Sequence, residues 1–296
     1  MSLRRIALNL FLRTFEKPHL ARIEDPVELR AMFERKARWL FHGPRGSTYA
    51  GMELGDVPGL KVTGPGADEA GAILYFHGGG YVFGSPRTHK AMLARLSRLT
   101  GRVAWLPDYR KAPEHAFPAA VEDALAAYRA LIEMVPAGRV VIGGDSAGGG
   151  LALALLGEIC RLDLPQPQAC FAFSPLTDMT FSGASYSANE TAEAMLPATR
   201  EHDIAEMYLA DADPTDPRAT PLNAGFAGAG PVWLSVGDTE ILLDDTRRMA
   251  EVMRAQSVEV TEVIEHDLPH VWPIFQRMLP EADATLKALA RWISSR

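Results

Sequence analysis

The run Gly144-Asp145-Ser146-Ala147-Gly148 sets one serine among small residues. Val140, Val141 and Ile142 precede it as a buried-strand pattern, and a helical pattern follows from Ser146 to about 162. G-x-S-x-G between a strand and a helix is the setting in which a sharp turn lifts a serine hydroxyl above a sheet. The serine backbone is strained there, and its neighbours must be small so that strand and helix can approach. The helix start then turns free N–H groups toward the hydroxyl. A phosphate loop is the competing use of such glycines, but no lysine follows at the required spacing. A second run, His77-Gly78-Gly79-Gly80-Tyr81, follows the apolar stretch GAILYF. Its glycines leave backbone donors unobstructed, as acyl transfer requires where charge develops on a carbonyl oxygen.

A serine hydroxyl is a weak nucleophile near neutral pH. It needs a histidine to take its proton and an acid to orient that histidine. Four acids follow the strand pattern VWLSVGD: Asp238, Glu240, Asp244 and Asp245. Two histidines, His266 and His270, follow the last strand pattern. Serine, acid and histidine therefore occur in that chain order, one of the orders used by hydrolases. His266 falls at the strand's edge. His270 lies deeper in the loop, before a helix start, and is the better placed to reach Ser146. His19, His42, His89, His115 and His202 have no comparable setting and read as surface or packing residues. Asp145 reads as a residue that shapes the loop, not as a base.

These residues need elements to hold them. Apolar runs predict strands at 71–77, 102–109, 139–145, 168–174, 232–238 and 258–265, alternating with helices at 87–101, 117–134, 146–162, after 242 and at 274–294. MELGDVPGLKV predicts a hairpin turning at Pro58-Gly59. The alternation implies a mostly parallel, eight-stranded sheet with helices on both faces. Ligands bind such sheets outside the carboxyl ends of the strands, where both glycine runs fall. Upstream, Ile6, Leu10, Phe11 and Phe15 have helical spacing, and Asp25-Pro26 starts a second helix whose stripe is Leu29, Met32, Phe33 and Leu40. Both helices are expected to lay these stripes on the rest of the chain. Residues 176–230 are too long for a simple loop and read as an insertion that joins the N-terminal helices over the strand ends. Phe11, Phe33, Met195, Met207, Tyr208, Tyr81 and Trp272 are candidates to line an acyl pocket.

The 296 residues, 47% of them hydrophobic, suffice for one large domain, and a formal charge of −7 argues against nucleic acid as the main partner. Cys160 and Cys170 lack metal-ligand spacing and suggest core packing in a reducing, cytoplasmic compartment. No apolar run reaches the ~18 residues of a membrane span. MSLRRIALNLFL is followed by no small-residue cleavage site, so it reads as an amphipathic helix and not as a signal peptide.

HGGGYVFGS, DYRKAPEHAFPAAVEDA, GDSAGGG, GDTEILLDD and LPHVWPIF together resemble the hormone-sensitive lipase family of α/β-hydrolase esterases, in its GDSAG subgroup. The match runs from about 70 to 275. It implies an α/β-hydrolase domain with a helical cap from 1–45 and about 180–212, and a catalytic core from about 46–179 and 213–296. It implies Ser146 as nucleophile, His270 as base, and an oxyanion hole from the amides of Gly79, Gly80 and Ala147. The family's acid motif, D-x-L-x-D, aligns with Glu240-Ile-Leu-Leu-Asp244, so the register puts Glu240, with Asp238 as alternative, at the acid position. The implied activity is hydrolysis of short- to medium-chain carboxylic esters, with Tyr81, Met207 and Trp272 as substrate-binding candidates. No metal or organic cofactor is implied. Amidase or peptidase action on the same fold is the runner-up. Plant gibberellin receptors share the fold without hydrolysis, but they have lost the histidine that His270 supplies here. Relatives often pair through the last strand, which admits a homodimer. In DYRKAPEHAFPAAVEDA, Asp108, Arg110, Glu114 and Asp123 are expected to form a buried ion network.

Overall fold

Unbroken apolar runs along the central strands set the frame of the molecule. In the computed structural model, which describes residues 2–296, eight strands form one sheet. They are β1 (Thr48–Leu54), β2 (Val57–Thr63), β3 (Asp68–Phe76), β4 (Arg102–Pro107), β5 (Val140–Asp145), β6 (Ala169–Phe173), β7 (Val232–Gly237) and β8 (Val260–Glu265). Their spatial order is β1-β2-β4-β3-β5-β6-β7-β8. The pairs β1/β2 and β2/β4 are antiparallel, and every later pair is parallel. The helices are α1 (Leu3–Phe11), continued by a π turn (Leu12–Glu16) into α2 (Lys17–Arg22), then α3 (Pro26–Leu40), α4 (Pro86–Thr100), α5 (Ala119–Met134), α6 (Ser146–Arg161), α7 (Ser185–Ala188), α8 (Glu201–Leu209), α9 (Leu243–Ala255) and α10 (Pro280–Ser294).

The sheet is covered on both faces, which is why its central strands are apolar at successive positions. Ile73 and Tyr75 of β3 pack with Leu93 and Leu96 of α4 and Leu286 and Leu289 of α10. Leu74 and Phe76 face the other way, toward Ala124 of α5, Leu151 and Leu155 of α6, and Met249 of α9. The chain runs from β3 to β4 on one side, then returns to β5 on the other. The loops after β3 and β5 therefore leave neighbouring strand ends in opposite directions, and a crevice opens between them. Those loops are the two glycine runs.

Several expectations are corrected. The hairpin turns at Gly55-Asp56, with Leu54 paired to Val57 and φ of +62° at Gly55. Pro58 and Gly59 lie inside β2, where Pro58 precedes the residues laddered to β4 and needs no N–H there. The closing helix starts at Pro280, because Trp272–Phe275 form a separate 3-10 turn. The acids and bases of 108–123 form separate pairs, not one buried network. Arg110 holds Asp123, Lys111 holds Asp108, and Glu114 reaches Arg30 of α3.

The largest correction concerns α1, which docks by its polar side. Arg5, Asn9 and Leu12 are buried, while Ile6, Leu10, Phe11 and Phe15 face solvent. The reason is the carbonyls of the loop after β8, which need donors. Arg5 donates to His266 O (2.6 Å), and Asn9 Nδ2 donates to Asp267 O (2.9 Å) and Oδ1 (3.1 Å). The second helix behaves as expected at its start, where the Asp25 carboxylate accepts from Val27 N (2.8 Å). The segment 176–230 does join the N-terminal helices. Arg13 and Lys17 donate to the carbonyls of Ala192 (2.6 Å) and Glu190 (2.6 Å), and Leu20, Ile23 and Met32 pack with Met195. Among the described residues, no helix is long and apolar enough to cross a membrane.

Candidate active site

The turn from β5 into α6 is as tight as its small residues suggest. A Cβ on Gly144 would lie 2.0 Å from Gly148 O, and one on Gly148 would lie 2.2 Å from Phe76 O. Ser146 sits between them with φ of +53°, a left-handed backbone that a serine adopts only when its surroundings force it. The Asp145 carboxylate does not cap the helix. Tyr75 OH donates to its Oδ1 (2.6 Å), and His89 Nε2 lies 3.2 Å from Oδ2. Burial lowers the pKa of His89, but the charge and hydrogen bond of Asp145 outweigh it and leave the pKa raised. Asp145 thus anchors the elbow, as expected. His89 is not the indifferent residue that the sequence suggested. The clue was its place in the first turn of α4, just after the glycine loop.

The loop after β3 presses on this elbow. A Cβ on Gly78 would meet Asp145 Oδ2 at 2.3 Å. Gly79 and Gly80 have φ of +125° and +59°, and Val82 N and Phe83 N both donate to Gly79 O (2.9 Å each), closing the turn. Among the described residues, the amides of Gly79 and Gly80 donate to no protein acceptor. Ala147 is the second residue of α6, so its N–H also lacks an intrahelical acceptor.

The acid and histidine candidates resolve into two pairs. His270 Nδ1 lies 2.7 Å from Glu240 Oε2, and both side chains are buried. The other oxygen of Glu240 accepts from Gly237 N (2.7 Å) and from Ser174 Oγ (2.8 Å), whose hydroxyl in turn accepts from Val271 N (3.2 Å). Gly237 also makes room for the longer acid. A Cβ there would stand 3.2 Å from Glu240 Oε1 and 2.3 Å from Leu268 O. Burial lowers the pKa of His270, yet the hydrogen bond and charge of Glu240 leave it raised. The second pair is His266 Nδ1 with Asp238 Oδ2, also 2.7 Å apart, at the surface. Asp244 and Asp245 serve elsewhere. Asp244 accepts from Ser185 N (2.9 Å) and Asp245 from Thr177 N (2.7 Å), holding the 176–230 segment to α9. Burial pushes the Asp245 carboxyl up to about 7.

Sequence reasoning missed three supports of the acid loop. Ser174 bridges Glu240 and the His270 loop. Asn189 Nδ2 donates to the carbonyls of Asp238 (3.1 Å) and Glu240 (2.8 Å). Glu193, buried, accepts from Ile241 N (3.2 Å) and Met195 N (2.7 Å). Burial and the nearby charge of Glu240 raise the Glu193 pKa. All three come from ordinary-looking polar stretches. Only the Ser-Pro step right after β6 could have singled out Ser174.

Ser146, His270, Gly79 and Gly80 open on one cavity of about 720 Å³. Its wall is apolar and includes Phe11, Phe33, Met195 and Met207, as expected, with Ile204 and Phe275. Tyr81 and Trp272 are not brought to it, and both expectations are corrected. Tyr81 is buried and stacked on Tyr208, ring centroids 3.8 Å apart, which also takes Tyr208 out of the wall. Trp272 is buried against α10 and donates to Thr285 Oγ1 (2.9 Å). Tyr81 gains full burial and a stacked partner, and Trp272 gains full burial with its N–H satisfied, neither of which a cavity wall supplies.

Residues 73–274 match the family model described as alpha/beta hydrolase fold. A solved esterase of the bacterial hormone-sensitive lipase family superposes with a TM-score of 0.92 at 34% identity, over 99% of this chain and 98% of that one. The chain belongs to the hormone-sensitive lipase family of α/β hydrolases. An acetyl-hydrolase from Streptomyces hygroscopicus is 36% identical over 250 residues, covering 81% of this chain and 84% of its own. An esterase from Acinetobacter venetianus is 32% identical over 246 residues, covering 82% and 81%. The structure of EstE5 soaked with p-nitrophenyl butyrate superposes with a TM-score of 0.93 at 35% identity, over 99% of this chain and 98% of that one. As a member of the hormone-sensitive lipase family, the chain is a carboxylic ester hydrolase.

Proposed function

We propose that the chain hydrolyses short- to medium-chain acyl esters through an acyl-serine intermediate, with Ser146 as nucleophile, His270 as general base and Glu240 as the acid that orients it. The observation that carries this reading is the buried Glu240–His270 pair opening on the same cavity as a serine held at φ of +53°. In the first half-reaction the Ser146 hydroxyl oxygen bonds to the ester carbonyl carbon and its proton passes to His270 Nε2. The carbonyl oxygen becomes an oxyanion within reach of the amides of Gly79, Gly80 and Ala147. These are fixed donors in an apolar-walled site, where such stabilisation is stronger than in bulk water. The intermediate collapses, the C–O bond to the alcohol breaks, and His270 returns the proton to the leaving oxygen. Water then repeats the sequence on the acyl-enzyme and releases the acid.

Residues 1–45 and about 180–212 serve as a cap over a core of about 46–179 and 213–296. An apolar wall formed largely by the cap suits an acyl chain, and a volume of about 720 Å³ suits a short to medium one. Free thiols at Cys160 and Cys170 fit a reducing compartment such as the cytoplasm. The test is a panel of p-nitrophenyl esters from acetate to palmitate with wild type and Ser146→Ala. The wild type is expected to prefer the shorter half of the panel, and the variant to lose on the order of 10³-fold or more in kcat/KM. A wild type that cleaves none of the esters, or a variant that cleaves them equally well, overturns the reading.

A further inference from the structure

Apart from Phe11, the outward apolar face of α1 has no role in the site described above. Among the described residues, eight of the eleven exposed large hydrophobic side chains lie in residues 1–45: Leu3, Ile6, Leu10, Phe11, Phe15, Val27, Trp39 and Leu40. Leu3 and Trp39 are 83% and 73% exposed. The face cannot turn inward, because the opposite side of α1 is committed through Arg5, Asn9 and Leu12 to the loop after β8. Lys36 ties the end of α3 to the same surface by pairing with Glu16 (2.6 Å).

Two further observations say what covers this face. The first is charge. Residues 1–45 hold ten Lys/Arg against five Asp/Glu, a balance of +5, while the remaining 251 residues hold twenty against thirty-two, a balance of −12. The exposed Arg4, Arg35 and Arg38 have no acidic partner among the described residues. The second is continuity. Phe11, Trp39 and Leu40 are exposed and also line the cavity that holds Ser146 and His270, so the apolar surface runs unbroken into the site.

We propose that the chain docks on an anionic phospholipid surface through α1 and the end of α3, with the cavity mouth facing the lipid. An apolar stripe with a tryptophan at its edge and arginines around it matches the interface of a bilayer, where aromatic rings settle and basic residues meet anionic headgroups. A second copy of the chain is a poorer occupant. An isologous pair through this face would set the unpaired Arg4, Arg35 and Arg38 of one copy against those of the other. Docking in this orientation lets an amphiphilic ester pass from the lipid into the cavity without crossing water. The docking step itself does not depend on the catalytic roles proposed above, so it is read by binding and not by turnover.

The experiment is flotation of the full chain with vesicles of equal parts phosphatidylglycerol and phosphatidylcholine, compared with pure phosphatidylcholine, at about 0.15 M salt. The wild type is expected to float with the anionic vesicles at least on the order of tenfold more than with the neutral ones. Ile6→Asp/Leu10→Asp and, separately, Arg4→Glu/Arg38→Glu are each expected to lose on the order of tenfold of that binding. Turnover of p-nitrophenyl butyrate in bulk buffer should stay within about twofold of wild type for both, since none of these four residues lines the cavity. The proposal is overturned if the wild type floats with neither vesicle, or if both variants float as it does. It is overturned equally if sedimentation shows a wild-type dimer that Ile6→Asp/Leu10→Asp dissolves, since the face would then be an interface between copies.

Discussion

Two acid–histidine pairs stand at neighbouring strand ends, and both are 2.7 Å long. Asp238–His266 and Glu240–His270 come from the same two loops, with acids two residues apart and histidines four apart. Their surroundings differ. In the first pair the His266 side chain is 65% exposed, and in the second both side chains are 3% exposed or less. The surface pair is solvated and screened, so it does little beyond closing the turn, where Asp238 also accepts from Asp267 N (2.8 Å). The buried pair is held by Gly237 N and Ser174 Oγ, so neither oxygen of Glu240 is left to water. A carboxylate so fixed can stabilise an imidazolium as it forms, which is what a base needs. The contrast teaches that neither residue type nor pair distance sets the proposed acid apart. What sets it apart is burial together with satisfaction of the oxygen that does not face the histidine.

The sharpest way to break this contrast is to remove each acid's charge in turn. Glu240→Gln is expected to lower kcat by on the order of 10³- to 10⁴-fold, while Asp238→Asn should change it by less than about threefold. Kinetics on p-nitrophenyl butyrate decide it, and the reverse result moves the acid to Asp238. A smaller effect tests the accommodation of the longer side chain. Glu240→Asp draws the carboxylate back by one methylene, away from either His270 or Gly237 N, and is expected to cost about 10- to 100-fold in kcat. A variant as active as the wild type would mean that Gly237 leaves room without purpose.

The pair also predicts a pH profile. His270 works as a base only when neutral, so kcat/KM rises with pH through its pKa. Burial alone would depress that pKa, and Glu240 raises it above the ordinary histidine value. With the Glu240 charge removed, its support for the imidazolium is lost, and the acidic limb of the residual activity in Glu240→Gln should move to lower pH. In Asp238→Asn the limb should stay in place. A profile recorded from about pH 5 to 9 for all three proteins checks the sign.

How much of this was legible in the sequence follows the same line. The strands, both glycine loops and the Ser146 elbow were readable because their constraints are local: an unbroken apolar run at the end of β3, and glycines at positions where a Cβ would strike backbone. That Glu240, and not Asp238, pairs with His270 was readable only through register with a known motif, since an acid two residues away has the same letter chemistry. The supports of the acid, Ser174, Asn189 and Glu193, come from another part of the chain and carry no local signature. The N-terminal helix misled outright. Its apolar spacing is genuine, but tertiary hydrogen bonds to the carbonyls of His266 and Asp267 selected the polar face for burial. Tyr81 and Trp272 misled for the opposite reason, because they lie close in sequence to Gly80 and His270 yet point into the packed layers.

The smallest expected effect tests whether that docking of α1 matters to the buried pair. Asp267 sits at the crossing of both systems. Its amide donates to Asp238, and its carbonyl and carboxylate are held by Asn9, with Arg13 3.3 Å away. Three residues on, the same loop delivers His270. Asn9→Ala removes two of these hydrogen bonds without touching the cavity wall, so the fold and the apolar pocket should survive. Losing two partly buried bonds costs about 1–3 kcal/mol of local stability, which is felt as a looser His270 loop and not as lost substrate contacts. The expected outcome is a drop in kcat of about three- to tenfold with KM unchanged, and a Tm lower by a few degrees. A KM that rises while kcat holds would place the contribution of α1 in the pocket. An unchanged enzyme would show that the His270 loop keeps its geometry through Asp238, Ser174 and Glu240 alone, and that the surface pair matters more than its exposure suggests.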